Sequence, residues 1–491
     1  MQKLFFAGRV VVIGCGSVSQ CALPLLLKTL DISPKAVTVI DFVDNRARLT
    51  ELLERGVTYE LLRLTPENFQ SVLASKLSRG DLLVDLGWSI ETEALLDWCR
   101  SNSVLYVNTS VEVWDPYSDA TRLDPRQYTL YKRQMSLQRM MARWGNNSGT
   151  TAVVDHGANP GLVSHLTKHA LIEIAQKIVN TKPNDTRRAA LEQALVAKDF
   201  RNLARLSGTQ VIHVSERDSQ LTTQPKRVNE FVNTWSIEGL YEEGVAPAEL
   251  GWGTHEKSLP PGAAVFDEGP RNAICLTALG VNTWVRSWVP SGSIVGMVIR
   301  HGEAFGISDR LTVWSGNKAV YRPTVHYVYC PCDSAIASLH ELRMRQYKLQ
   351  PQHRILSNEI SAGQDELGVL LMGHDFDAWW TGSVLDITEA RKLVPGQNAT
   401  TVQVAISVVA AAHWMIQNPN KGLCLPDDID HEWILAFTRP YLGRFISEPV
   451  PWHPVKDLDV SLLGYGAQVP ALEDAWQFST FTAGTGIGFG H

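Results

Sequence analysis

At 491 residues, 44% hydrophobic and 20% charged, the chain is too long for one compact core and has apolar material for two or three. A net charge of −6 and a pI near 6.2 leave no basic field, which argues against nucleic acid or an anionic membrane surface as main partner and points to small molecules. Seven scattered cysteines (Cys15, Cys21, Cys99, Cys275, Cys330, Cys332, Cys424) with no CxxC pair are the usage of a reduced, cytoplasmic protein rather than a disulfide framework or a metal site.

Lys3 and Arg9 precede an apolar run in the manner of a secretory leader, but the run from Val10 to Ile13 falls short of the roughly 7 to 15 residues a leader core needs. Strand patterns at 10–13, 37–40, 58–62, 82–85 and 105–108 alternate with helix-period stretches at 20–30, 46–54, 68–77 and 91–100. That alternation predicts βαβ units and a doubly wound parallel sheet of the Rossmann type, an α/β domain. A helix from about Leu130 to Met141 ends at the polar breaker Gly145-Asn146-Asn147-Ser148-Gly149. The expected division is a dinucleotide-binding domain at 1–146 and a larger α+β domain at 147–491.

The second domain opens with a strand at 151–155, the loop His156-Gly157-Ala158-Asn159-Pro160-Gly161 and a helix at 162–179, a second strand, glycine loop, helix unit. After a polar, helix-prone segment at 183–204, strand and turn signals dominate to about Cys332 and predict an antiparallel sheet. A long helix is expected at 400–417, and the glycine-rich tail from Thr482 to Gly490 reads as irregular. No window of about 18 apolar residues occurs, so no membrane span is expected.

In Gly14-Cys15-Gly16-Ser17-Val18-Ser19 the two glycines stand where a strand must turn tightly into a helix and let a pyrophosphate approach the helix N-terminus; Ser19 replaces the third glycine. Asp41 ends the next strand, about 20 residues on, where a carboxylate would accept the adenosine ribose hydroxyls and repel a 2′-phosphate, favouring NAD. Arg46 and Arg48, ordinary solvated helix positions, keep NADP open, and Asp44 reads as a helix N-cap.

Between Glu216 and Gly253 lie seven acids (Glu216, Asp218, Glu230, Glu238, Glu242, Glu243, Glu249), four large aromatics (Phe231, Trp235, Tyr241, Trp252) and three basic residues, a composition whose pocket would prefer a cation. Several of the fifteen tryptophans, Trp114, Trp288, Trp379 and Trp380 among them, sit in polar company and could line a site. His165 and His169 share a helix face but have no third ligand nearby, so they read as structural, and Cys330-Pro331-Cys332 as a strand end.

Taken with Val111-Glu112-Val113-Trp114, the Gly-Ala-Asn-Pro-Gly loop, Asn282-Thr283, Val285-Arg286-Ser287-Trp288, His301-Gly302-Glu303, Tyr321-Arg322-Pro323-Thr324 and Gln397-Asn398-Ala399-Thr400, these words resemble the bacterial homospermidine synthases over nearly the whole chain. The resemblance implies a Rossmann domain followed by a larger, dimer-forming domain of saccharopine dehydrogenase type. It also implies NAD kept as a recycled group and conversion of two putrescines, with spermidine as a further possible amine, into homospermidine and ammonia. An ammonium cannot surrender hydride from its α-carbon until a base removes a proton, so such chemistry needs several carboxylates.

On the matching positions, Trp235 resembles the aromatic whose face holds the substrate cation. Glu243 resembles the carboxylate that anchors the distal ammonium, and Glu216 another along the amine path. Glu112 would hold a reacting amine at the cofactor edge, Asn159 would orient the nicotinamide or the imine, and His301 with Glu303 would handle protons. Glu238 reads as a structural acid. Ser89 departs from the pattern, standing where the family carries an acid, and Asp85 cannot replace it if it points into the strand.

Two other readings stay open. An NADPH-dependent reductase joining an amine to a carbonyl acid would need arginines to clamp a carboxylate, for which Arg217 and Arg286 are available. A dinucleotide-binding sensor without turnover would not need so many acids around a cationic pocket.

Overall fold

Val10-Val11-Val12-Ile13, Leu82-Leu83-Val84 and Leu105-Tyr106-Val107 are apolar on consecutive positions, the mark of strands covered on both faces, and the last two runs end in the polar Asp85 and Asn108. In the computed structural model, which describes residues 3–115, 124–456, 458 and 469–483, all twelve of these residues are buried in one parallel sheet. Its strands are β1 (Val10–Ile13), β2 (Val37–Asp41), β3 (Thr58–Leu61), β4 (Leu82–Asp85), β5 (Leu105–Asn108) and β6 (Ala152–Val153), in the spatial order β3-β2-β1-β4-β5-β6. The order reverses between β1 and β4, where doubly wound sheets leave a crevice at the carboxyl ends of the strands. Helix α1 (Ser17–Thr29) follows β1, and helix α2 (Leu130–Arg143) precedes the 145–149 breaker.

The parallel sheet does not stop at that breaker. β6 lies beyond it, and a seventh strand, Leu423–Cys424, pairs with β6. Asn147 of the breaker joins the two segments: its Nδ2 donates to the Leu423 carbonyl at 2.8 Å and its Oδ1 accepts from the Leu423 N–H at 2.9 Å.

Helix α3 (Leu162–Thr181) leaves the Asn159 loop, and the helix-prone segment after it forms two helices, Arg188–Ala197 and Phe200–Ser207. The second sheet is mixed rather than antiparallel. At its centre β7 (Val211–Asp218) runs parallel to β8 (Thr324–Cys330), which a long intervening crossover makes possible; β9 (Gln364–Met372) and the outer strands are antiparallel. The region expected to be strand and turn also holds helices α4 (Ile237–Gly244) and α5 (Gly302–Leu311). Ser236 caps α4, its side chain accepting from the Gly239 N–H at 3.0 Å.

Helix α6 (Ala399–Gln417) is long and apolar enough to cross a membrane, but 89% of its apolar window is buried: it packs on α1 and also touches β5 and β9. Asn398 caps it by accepting from the Thr401 N–H at 2.8 Å, while Thr400 Oγ1 donates to Asp365 at 2.5 Å. Trp379 and Trp380 are core residues, and residues 484–491 of the glycine-rich tail lie outside the described part.

Candidate active site

At the end of β1, Gly14 has φ +82°, and a Cβ there would meet the Leu86 carbonyl oxygen at 2.5 Å, so glycine is required. Gly16 caps α1 with no side-chain bond to the helix, and a Cβ on it would meet nothing within 4 Å. Ser17 and Val18 begin the helix beside this open space, where free N–H groups suit a pyrophosphate. Ser19 is buried, its Oγ donating to the Gly14 carbonyl at 2.6 Å, and so ties the turn down.

Asp41 accepts from the Cys15 N–H at 2.5 Å and the Val43 N–H at 2.8 Å, so it braces the same turn. Arg46 is paired with Asp44, in the open. The Cys15 thiol is buried, which with Asp41 beside it pushes its pKa up to about 12.

The second region is built by strand alternation. Glu216 and Asp218 of β7, Tyr327 and Tyr329 of β8 and Asp365 of β9 share one face of the central sheet, by their register. Glu216 Oε2 accepts from Tyr327 Oη at 2.5 Å and from Asn159 Nδ2 at 2.8 Å, joining the sheet to the Asn159 loop. Burial, with Asp218 adding to it, raises the Glu216 pKa to about 7. Asp218 and Asp365 are also raised, first by burial. Tyr329 stacks on Tyr327 with centroids 5.4 Å apart and accepts from Trp235 Nε1 at 2.9 Å, which places Trp235 at the end of the row.

His301 caps α5 and stands edge-on to Tyr327, with ring centroids 4.3 Å apart. Its Nε2 is 3.2 Å from Glu243 Oε2, and its Nδ1 is 3.5 Å from Glu303 Oε1. Burial works against the imidazolium, but the two carboxylates outweigh it and hold the pKa well above the ordinary histidine value. Glu303 is buried, and neither of its oxygens accepts a hydrogen bond among the described residues.

Behind it, Asp155 accepts from Gln134 Nε2 at 2.5 Å, and burial followed by Glu303 raises its pKa to about 7. A Cβ on Gly302 would lie 2.8 Å from Asp155 Oδ2, so glycine allows this close approach without displacing the carboxyl.

Glu112 joins from the Rossmann side. Its Oε1 accepts from Ser110 at 2.8 Å, its Oε2 lies 3.9 Å from Arg133, and burial followed by Glu242 raises its pKa to about 7. Glu242 itself takes both Arg133, at 2.7 Å, and Arg300; burial resists its ionisation, but the two guanidiniums hold it below the usual range. Several buried carboxyls are thus poised to carry or release a proton near neutrality around one protonated imidazole, an arrangement suited to binding amines and moving their protons.

The structure therefore brings together Asn159, Glu216, Trp235, Glu243, His301 and Glu303, with Glu112 linked through Arg133 and Glu242. The acidic tract as a whole does not line one pocket. Glu249 accepts from the Leu130 and Tyr131 N–H groups at the start of α2, Glu230 pairs with Arg354, and Glu238 meets His353 near the surface. Phe231 is core, Tyr241 donates to the Tyr347 carbonyl, and Trp252 packs on Phe478. Strand and helix periods decide these directions, so neighbours in sequence part company.

The residues not anticipated are Arg133, Arg300, Asp155, Tyr327 and Tyr329. Only the alternating His326-Tyr327-Val328-Tyr329 carried a visible signal. Arg217 and Arg286 bond to Ser291 and the Thr480 carbonyl, and Arg217 faces away from Glu216, so the carboxylate clamp does not form. Asp85 is buried against Tyr106 at 2.8 Å and does not stand in for the acid missing at Ser89. His165 is buried with Nε2 3.0 Å from that of His156, and His169 meets Glu173.

Residues 10–153 match the saccharopine dehydrogenase NADP binding domain, and residues 157–450 the saccharopine dehydrogenase C-terminal domain. The homospermidine synthase of Blastochloris viridis is 38% identical over 485 residues, covering 96% of each chain. That of Mesorhizobium japonicum is 37% identical over 489 residues, 96% of this chain and 95% of the relative. The crystal structure of the Legionella pneumophila homospermidine synthase in complex with NAD has a TM-score of 0.87 at 37% identity, over 98% of this chain and 99% of that one. Apo saccharopine dehydrogenase (L-Glu forming) from Saccharomyces cerevisiae, at 12% identity and a TM-score of 0.50, shares the fold. With identity above a third along almost the full length of these relatives, the chain belongs to the homospermidine synthases.

Proposed function

We propose that the chain converts two putrescines into homospermidine and ammonia with NAD as a recycled group, and that spermidine can serve as a further amine. Its support is the family together with one constellation, Glu243, His301 and Glu303 in line beside Glu216. The open turn at Gly14 and Gly16 fits a dinucleotide: Ser17 and Val18 would offer N–H groups to the pyrophosphate, Asp41 would meet the adenosine ribose, and Asn159 would lie toward the nicotinamide. When bound, that group supplies the acceptor and later the donor of a hydride.

The chain's own work is on cations and protons. Trp235 presents its ring face to the amine, Glu243 holds the distal ammonium, and Glu112 receives the reacting amine from the Rossmann side. Glu216 takes the proton from the reacting ammonium on Oε1, the oxygen not engaged by Tyr327 and Asn159. His301, flanked by a carboxylate at each ring nitrogen, returns protons to the nitrogens that need them. Residues 147–491, apart from the short strands at 152–153 and 423–424 that complete the parallel sheet, form the substrate and dimerisation domain of a homodimer. The enzyme works in the cytoplasm, where its seven free cysteines stay reduced.

The test is the purified protein with putrescine and no carbonyl partner. Homospermidine and ammonium should form at constant absorbance at about 340 nm, because the cofactor returns to its starting state. Continuing absorbance change points to the reductase reading, and absence of product to a sensor.

A further inference from the structure

Behind His301 lies a cavity of about 20 Å³, bounded by Asp155, Gly302, Glu303, Ser164 and Asp427. That is room for one water-sized molecule. Three of its lining residues are acidic and none is basic, while most of the wall it exposes is apolar; Glu303, 3% exposed, has no hydrogen bond on either oxygen among the described residues. A second cavity, of about 500 Å³, lies next to it and reaches the surface at Arg310 and Asp428, whose side chains are 40% and 32% exposed. Gln134, Phe305, Gly306 and Leu425 line both, so they form the neck between the two.

This cavity and the amine site are bounded by residues adjacent in the chain. Asn159 reaches Glu216 while Pro160 lines the cavity, and His301 reaches Glu243 while Gly302 and Glu303 line it.

We propose that this rear cavity is the exit for the ammonia nitrogen, which is held between Asp155 and Glu303 as ammonium and leaves past Gly306. The inference rests on the reaction proposed above. In that reaction the nitrogen of the second diamine adds to the protonated imine carbon, the bond to the first nitrogen breaks, and that nitrogen departs as ammonia. A protonated carboxyl of the cavity then gives up its proton to form ammonium, replacing the proton that the base removed from the donor. A cavity flanked by acidic residues and too small for a diamine suits this product. Release on the side of Glu216 and Glu243, by contrast, would leave ammonium competing with the incoming diamine.

Gly306 gives a direct test. It lies within α5, where a Cβ would meet only Asp427 Oδ2, at 3.4 Å, so Gly306→Leu fills the neck without backbone strain. Enzyme is given putrescine and 15N-ammonium, and the label entering unreacted putrescine is divided by the homospermidine formed. A path used for exit also serves for return, so wild type should incorporate label, and Gly306→Leu should lower the ratio by about fivefold or more. A merely structural defect slows both reactions and leaves the ratio alone. Leu425→Trp plugs the neck from the other wall, and retained NAD shows that a variant is folded.

An unchanged ratio in both folded variants overturns the exit, and so does wild type that makes homospermidine without taking up label. Wild type that makes no homospermidine overturns the functional reading instead.

Discussion

The turn around Gly14 and the pocket around His301 follow opposite electrostatic plans. The turn offers helix N–H groups beside an open space, and Asp41, the acid next to it, braces its backbone. The pocket offers carboxyl groups whose protons are held by burial, with Glu112, Asp155 and Glu216 raised to about 7. On the proposed function, one region would receive an anion through fixed dipoles and the other a cation with which it exchanges protons. A dipole works at any pH, whereas a buried acid works because its charge is incomplete.

The comparison breaks first at His301. His301→Gln removes the imidazole that faces Glu243 and Glu303, and homospermidine formation should fall by roughly a thousandfold in kcat, with NAD still bound. Steady-state rates and the NAD content of the purified variant check this. A loss under about tenfold would move the proton work to the carboxyls alone.

Trp235 and Gly16 sharpen the contrast, because each should disable one region and spare the other. Trp235→Ala should cost about 2 kcal/mol in kcat/KM, near thirtyfold, and keep NAD. Gly16→Val places a side chain in the open space at the start of α1 and should weaken NAD binding about tenfold, without unfolding the domain. Near-normal turnover in Trp235→Ala would remove the cation–π role, and undiminished NAD in Gly16→Val would remove the phosphate site.

The same contrast explains what could be read ahead of the structure. The strands at 10–13, 82–85 and 105–108 and the turn at 14–19 were legible because each is settled by neighbours in sequence: apolar runs, glycines and a cap. The pocket was legible only by family likeness. Arg133 on α2 and Arg300 before α5 meet on Glu242 through tertiary packing, which no local pattern announces. Helices α4 and α5 are short and glycine-bearing, so their period was lost among turn signals, although they carry Glu243 and Glu303. The breaker at 145–149 marks the end of α2 and not the end of the sheet, since Asn147 stitches a strand from residues 423–424 onto β6.

The smallest effects separate acids that the sequence presents as equals. Glu249 accepts two N–H groups at the start of α2 from a buried position, so Glu249→Ala should lower stability by about 1 to 2 kcal/mol in chemical denaturation. Glu238 meets His353 with side chains 42% and 35% exposed, and Glu238→Ala should change stability by no more than about 0.5 kcal/mol. Neither touches the row from Glu216 to Trp235, so both variants should make homospermidine at the wild-type rate under conditions where they are folded. If Glu238→Ala lost activity at unchanged stability, the cation-binding surface would extend along α4 beyond Glu243, and the pocket would be wider than the sheet face that now defines it.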